Sequence, residues 1–279
     1  MSGSYPRPGA EPFTERTPRV AAARRLTRRA ERDKARRFLA EGANAVGAAL
    51  AHGDVHELFV TDHAARTNAD LVAAAHDAGV RVSPITERAA AGLSETVTPQ
   101  GIVAVCGLLD RPLDGLLGPG ARLVAVLVGV SDPGNAGTVI RVADAAGADA
   151  VILAGDSVDP HNGKCVRASA GSLFHPPIAR TRDTGAALET CRAAGLRVLA
   201  AHGYAETSLD TLDLTAPVAW LFGNEAHGLA PEVLDAADER VRIPLYGAAE
   251  SLNLATAAAV CLYGSAMALV AAERRSSGG

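Results

Sequence analysis

Five polar residues in the C-terminal half of this chain stand just beyond apolar runs, and their types suit proton and phosphate chemistry. Asn135 and Arg141 follow the run Leu123 to Val130, Glu225 follows Val218 to Phe222, and Ser251 and Asn253 follow Val241 to Leu245. Two amides, a guanidinium, a carboxylate and a hydroxyl can orient a substrate hydroxyl, hold a phosphate and help draw off a proton. Each loop alone also has a plainer reading. A Gly-rich segment after a strand is often only a tight turn, Glu225 a surface acid, and His227 a solvated loop histidine. The recurrence of Asn, Arg, Glu, Ser and Asn at three corresponding strand ends is the more specific signal. No GxGxxG fingerprint follows Leu123–Val130, and the chain has no P-loop.

The third stretch, Ile243 to Leu254, organises the rest. A short apolar strand stops at a Pro and a Gly, a polar turn follows, and Ser251 stands where the N-cap of an Ala-rich helix belongs. A helix N-terminus carries unpaired N–H groups and partial positive charge, so it suits an anionic or carbonyl-rich ligand.

The elements that must hold these loops read as α/β. Leu123 to Val130 suits a strand buried on both faces of a parallel sheet. Ser131 to Gly137 reads as a loop, Thr138 to Ala146 as a helix, and Ala150 to Leu153 as a strand. A polar loop runs from Gly155 to Arg167. Thr184 to Gly195 is a helix, Arg197 to Ala201, Val218 to Phe222 and Val241 to Leu245 are strands, and Leu254 to Leu269 closes the chain as a helix. Repeated strand–helix pairs imply a doubly wound sheet, with its ligand beyond the C-terminal strand ends. Upstream lies a small α/β module: apolar helical spacing after Phe38–Gly42, strands at Leu58–Thr61, Val80–Val82 and Ile102–Cys106, and a helix from Asn68 to Gly79. The expected division is a disordered basic tail over 1–24, a first domain over 25–108, a linker over 109–120 and a second domain over 121–272.

Composition narrows the class. Nearly half of the 279 residues are apolar, enough for a core. No uncharged apolar run of about 18 residues is expected to cross a membrane, and the Arg-rich N-terminus lacks the apolar segment of a secretory signal. Cys106, Cys165, Cys191 and Cys261 are scattered, which points to buried reduced thiols in a cytosolic protein and to no metal site. Residues 1–37 hold eleven Arg and Lys against four Asp and Glu, a balance of +7, so the remainder carries −11 of the total −4. A basic arm on an acidic body suits a polyanion partner; the alternative is a solvated tail.

At this point the motifs carry a resemblance. NxGxxxR at 135–141, FGNExxGL at 222–229 and IPxxGxxESLNLxxAxxV at 243–260 are similar, in order and spacing, to the three motifs of the SpoU/TrmH-type RNA 2'-O-methyltransferases of the SPOUT superfamily. Phe38–Gly42 and Pro99–Val105 resemble, more weakly, that family's RNA substrate-binding domain, itself similar to small ribosomal RNA-binding proteins. The resemblance implies a deep trefoil knot near the C-terminus, S-adenosylmethionine as cofactor and a homodimer with the cofactor pocket against its interface. It implies cofactor contacts at Gly223, Ile243, Pro244 and Leu252. Arg141 matches the family's catalytic arginine, as a transient base or as a fork donor that positions the 2'-hydroxyl and a phosphate; a guanidinium stays protonated in proteins, which favours positioning. Asn135 then orients Arg141 or substrate, Glu225 pairs with or orients Arg and Asn across the loops, and Ser251 and Asn253 cap the last helix and hold the knot.

The substrate implied is RNA, with 23S rRNA favoured because the N-terminal module often accompanies large-subunit rRNA activity. Arg28, Arg29, Arg36, Lys164 and Arg167 are the candidate RNA contacts, with a solvated loop as the other reading for Lys164 and Arg167. A role in antibiotic resistance, a tRNA substrate, and a non-catalytic RNA-binding or ribosome-assembly protein on the same fold are the further readings carried. Location in the cytoplasm, no membrane and no metal complete the expectation.

Overall fold

The computed structural model describes residues 11–277. The start of the tail expected to be disordered, residues 1–10, lies outside the described residues. The chain forms two compact units. One holds the residues up to Leu109 together with Asp159–His175, and the other holds Asp110–Val158 and the chain from Pro176 onward.

In the first unit, residues 11–24 depart from the expected disordered tail. Phe13 forms a parallel bridge to Ile85, and α1 (Pro18–Arg25) buries Val20 and Ala23. The arginines mask an apolar spacing, Val20, Ala23 and Leu26, that places one face of a short helix on the core. Then come α2 (Arg29–Ala35), β1 (Arg37–Glu41), α3 (Ala43–His52), β2 (Val55–Val60), α4 (Asp62–Thr67), α5 (Ala69–Asp77), β3 (Arg81–Pro84), α6 (Glu87–Leu93) and β4 (Ile102–Gly107). The strands form a mixed sheet in the order β1-β4-β2-β3. Phe38–Glu41, expected to lead into a helix, is strand β1, and its residues face Cys106 to Val103 of β4 in antiparallel register.

A buried polar network draws a distant segment into this unit. Arg32, 3 % exposed, sends Nε to Asp159 Oδ2 at 2.9 Å and Nη1 to the carbonyls of Leu26 and Thr27 at 2.9 and 2.8 Å. His161 Nε2 accepts from the Leu109 N–H at 3.1 Å, which leaves Nδ1–H to face Asp159 Oδ1 at 3.2 Å. Burial would raise the Asp159 carboxyl, but the hydrogen bond from His161 and the Arg32 guanidinium more than offset it and hold it far below the usual carboxylate range. Phe38 packs on the rings of His161 and Phe174. Asp159–His175 therefore belongs with the first unit, although sequence order assigns it to the second domain.

The second unit is an eight-stranded sheet in the order β10-β12-β9-β11-β6-β7-β8-β5, with every pairing parallel. Its strands are β5 (Asp110–Arg111), β6 (Leu123–Val128), β7 (Ala150–Ala154), β8 (Ile178–Thr181), β9 (Arg197–Ala201), β10 (Thr207–Ser208), β11 (Val218–Phe222) and β12 (Glu239–Arg242). The helices are α7 (Pro133–Ala145), α8 (Gly163–Ser169, in the first unit), α9 (Thr184–Ala193), α10 (Pro231–Ala236) and α11 (Leu254–Ser277). The expected linker is part of this sheet: β5 pairs with β8, and Asp110 takes a two-pronged contact from Arg180 at 2.7 and 2.6 Å. The chain lays down β6, β7 and β8 in one direction, starts again at β9, and inserts β11 between β9 and β6. It then passes to β12 beyond β9, and α11 returns to pack on α7, β11 and β6. That path is consistent with the expected threading.

The α11 helix corrects one expectation. It contains a 22-residue stretch, Leu254–Arg275, long and apolar enough by length and composition to cross a membrane. Small residues had hidden it, because Ala and Gly dilute the apolar run without interrupting it. One face packs inward through Ala258, Cys261, Leu262 and Ser265, and Ser265 Oγ accepts from the indole N–H of buried Trp220 at 2.8 Å. Cys106, Cys191 and Cys261 are buried thiols, and Cys165 is also buried. Burial pushes Cys191 and Cys261 up to about 12, so neither thiol supplies a nucleophile at neutral pH.

Candidate active site

The carboxyl ends of β9, β11 and β12 open onto one cleft of about 440 Å³, within the range of small-molecule sites. All three sequence-chosen loops reach it. Its apolar wall includes Phe222, Val241, Ile243, Leu245 and Leu252, and its polar groups include Asn135, His202, Glu225, Ser251 and Asn253.

The first loop is shorter than the sequence suggested. Asp132 is the N-cap of α7, its carboxylate accepts from the Asn135 N–H at 2.8 Å, and Pro133 occupies the first turn. Asn135 thus stands on the helix rather than in a loop; the Asp-Pro start signal was present in the sequence. The second loop is a closed turn. Asn224 and Gly228 exchange backbone hydrogen bonds of 2.9 and 2.8 Å. A Cβ on Gly223 would lie 2.3 Å from the Gly228 carbonyl carbon, so only glycine fits there. Gly228 itself has φ +68°, in the region glycine favours.

Glu225 knits the first two loops. Its Oε2 accepts from the Ser131 N–H and Oγ, both at 3.0 Å. Its Oε1 accepts from the Asp132 N–H at 3.0 Å and from Asn135 Nδ2 at 3.1 Å. Partial burial would raise the carboxyl, but these donors, Ser131 N–H and Asn135 foremost, hold it below its ordinary value. The third loop joins through Asn253, whose Nδ2 donates to Asn135 Oδ1 at 3.1 Å. Asn253 Oδ1 also accepts from the N–H groups of Ala255 and Thr256, at 2.9 and 3.3 Å. Asn253, not Ser251, is therefore the N-cap of α11. Ser251 is exposed and lines the cleft. Strand β12 ends at Arg242, so Ile243 to Leu245 belong to the loop and not to a strand.

This constellation lies in a chain whose residues 122–263 match the family model of the SpoU rRNA Methylase family. The chain belongs to the SpoU rRNA methylase family. Residues 17–104 match the MRM3-like substrate binding domain. The chain is 37 % identical over 241 residues to the 23S rRNA (guanosine(2553)-2'-O)-methyltransferase RlmP of Bacillus subtilis, covering 86 % of this chain and 92 % of that one. It is 34 % identical over 231 residues to the 23S rRNA (guanosine-2'-O-)-methyltransferase RlmB of Ralstonia nicotianae, covering 80 % and 92 %. An AdoMet-bound rRNA methyltransferase from Sinorhizobium meliloti superposes with a TM-score of 0.82 at 35 % identity, over 93 % of this chain and 98 % of that one. The SpoU methyltransferase AviRb from Streptomyces viridochromogenes, in complex with AdoMet, superposes at 0.80 with 28 % identity, over 94 % and 100 %.

As a SpoU enzyme the chain is an S-adenosylmethionine-dependent RNA methyltransferase. The cleft suits that cofactor: apolar side chains and loop backbone form the wall, Gly223, Ile243 and Leu252 all line it, and polar side chains gather at one end. Pro244 is not among the lining residues. Arg141 does not line the cleft either. Six residues separate it from Asn135 on α7, which turns it about 120° around the helix; it is exposed and no hydrogen bond or ion pair joins it to a described residue. The expected pairing of Glu225 with Arg141 is thus corrected: Glu225 orients Asn135 and the backbone before α7.

The candidate RNA contacts of this SpoU chain all fall in the first unit, including Lys164 and Arg167. Arg28 and Arg29 are exposed at the start of α2. Arg36 is exposed with φ 55°, a left-handed conformation that is uncommon outside Gly, Asn and Asp. Lys164 is exposed on α8, while Arg167 is half-buried, 3.5 Å from buried Glu41, so part of its charge is spent within the fold. Arg24, Arg25 and Arg28 share a second cleft of about 410 Å³ with Thr27 and Ser94; charge density over 1–37 had pointed to the segment but not to that grouping. Among the described residues no group of three or more His, Cys, Asp or Glu is placed to hold a metal ion.

Proposed function

We propose that this chain transfers a methyl group to a ribose 2'-hydroxyl of 23S rRNA, guanosine being the favoured nucleoside. The observation that carries the reading is the Asn253–Asn135–Glu225 chain of hydrogen bonds at the polar end of a cofactor-sized cleft. The named functions of the RlmP and RlmB relatives support the choice of substrate. S-adenosylmethionine, when bound, supplies an electrophilic methyl carbon on sulfur. Gly223, Ile243 and Leu252 hold it, and Pro244 shapes the loop between them. Asn135, kept in place by Glu225 and Asn253, orients the acceptor ribose. Arg141 is a fork donor that holds the substrate phosphate and its 2'-hydroxyl as the proton leaves. Ser251 contacts substrate or cofactor from the rim.

The domain roles follow. Residues 25–108 grip a structured RNA by shape and by its unpaired bases, with Arg28, Arg29, Arg36, Lys164 and Arg167 on phosphates, and residues 121–272 carry the chemistry. A homodimer is supported by α11, where Val260, Tyr263, Met267 and Val270 recur on one exposed face at helical spacing. Action on rRNA places the enzyme in the cytoplasm.

The test is direct. Incubation with tritiated S-adenosylmethionine and total rRNA or tRNA, followed by alkaline hydrolysis, should leave label in alkali-resistant linkages of 23S rRNA. Label on tRNA, or on a base, would replace the substrate assignment; no label on any RNA would remove it. Arg141→Ala should abolish transfer while cofactor binding by calorimetry survives; loss of both would make Arg141 structural.

A further inference from the structure

We propose that His227 takes the proton from the target 2'-hydroxyl, a role that rests on the 2'-O transfer proposed above. A ribose hydroxyl is a weak nucleophile until its proton is drawn off, so the site needs an acceptor. The Arg141 guanidinium is a donor only. Both oxygens of Glu225 already accept two hydrogen bonds each, from Ser131, Asp132 and Asn135. A carboxylate so engaged has no uncommitted lone pair to offer. His202 also lines the cleft, but at the end of β9, on the far side of β11 from the strand that leads to Asn135.

His227 is set up differently. The Asn224 amide is oriented by three contacts: Nδ2 donates to the Gly129 carbonyl at 2.8 Å, and Oδ1 accepts from the N–H groups of Ala226 and His227 at 2.9 and 3.2 Å. The oxygen therefore faces His227 Nδ1, 3.2 Å away, and that nitrogen must carry the hydrogen. A neutral imidazole has one N–H, so Nε2 holds a lone pair. The ring is exposed. It projects from the turn between Glu225 and Gly228, both of which line the cleft, and the paired Asn224 and Gly228 hold that turn. In the step, the 2'-O–H bond breaks toward Nε2. The 2'-oxygen lone pair forms the bond to the methyl carbon, and the carbon–sulfur bond breaks with its electron pair passing to the sulfonium sulfur, now a neutral thioether. The imidazolium then returns its proton to solvent.

The experiment compares the full-length wild-type chain with His227→Ala in single-turnover transfer to an rRNA transcript. Cofactor and RNA affinities are measured by calorimetry. The expected result is a rate loss of roughly 10²–10⁴-fold with both affinities unchanged, partly restored by added imidazole. Nitrogen-edited NMR of the wild-type protein should show the Nδ1–H tautomer at His227. A loss smaller than about threefold, a loss that imidazole does not repair, or an Nε2–H tautomer would each overturn the role. Absence of any transfer by the wild-type chain would instead remove the reading on which the role rests, and is told apart because no starting rate then exists.

Discussion

The two histidine–carboxylate–amide networks of this chain use the same chemistry for opposite ends. In the first unit, His161 shows Nδ1–H to Asp159 while its Nε2 is occupied by the Leu109 N–H. In the second, His227 shows Nδ1–H to Asn224 while its Nε2 is left outward. Asp159 and His161 are 4 % and 1 % exposed; Glu225, Asn135 and Asn253 face the cleft. In a low-dielectric interior every donor and acceptor must be matched, so the first network can only hold structure. At a strand end water is available to complete the second, and its partly committed groups remain open to substrate. Burial, more than residue type, separates a stabilising network from a reactive one.

The largest effect should come from breaking the buried network. Asp159→Asn leaves the Arg32 guanidinium buried without a counter-charge, which should cost about 3–5 kcal/mol, measured by urea unfolding. A midpoint equal to wild type would show that the pair is not what ties Asp159–His175 to the first unit. The matching change in the exposed network is Glu225→Gln. It turns an amide N–H₂ against the Ser131 or Asp132 N–H and lets Asn135 drift. Transfer should fall on the order of 10²-fold, the usual consequence of a misplacement near 1 Å, while unfolding free energy changes by only about 1 kcal/mol. Equal losses of stability in both variants would collapse the distinction.

These contrasts also show what sequence could and could not disclose. The three strand-end motifs were legible because each follows an apolar run with fixed spacing, and the long strands β6, β9 and β11 were legible for the same reason. The short edge strands β5 and β10, and β8 with its mixed Ile178–Thr181 composition, carry too few residues for a pattern. Ser251 looked like the cap of α11 because a hydroxyl is a good N-cap; Asn253 is an equally good one, and only the helix start at Leu254 decides between them. The Arg32–Asp159 pair spans 127 residues, a separation at which no local period can operate. Arg141 was placed correctly in its motif, but helix geometry turns it away from the cleft that the other motif residues share.

A pH series sharpens the comparison next. The Asp159 carboxyl is depressed in the folded state, so its contribution to stability is complete above the ordinary carboxylate value of about 4 and is lost as pH falls toward the depressed value. Thermal unfolding of the wild type should therefore weaken steeply on acidification, and Asp159→Asn should flatten that limb. Glu225 is depressed in the same direction, but as a cleft-facing group its removal should flatten the limb less. A larger change from Glu225→Gln than from Asp159→Asn would reverse the assignment of structural and reactive networks.

The smallest effects separate Asn253 from Ser251. Asn253→Ala removes the N-cap of α11 and the contact to Asn135 together, and should cost about 1 kcal/mol of stability along with reduced transfer. Ser251→Ala removes no cap, so its unfolding free energy should stay within about 0.5 kcal/mol of wild type. Any loss of transfer it shows must then come from contact with substrate or cofactor at the rim of the cleft. Since Ser251 lines the cleft without holding α11, a Ser251→Ala variant that loses stability but transfers normally would mean that the hydroxyl supports the loop and takes no part in binding.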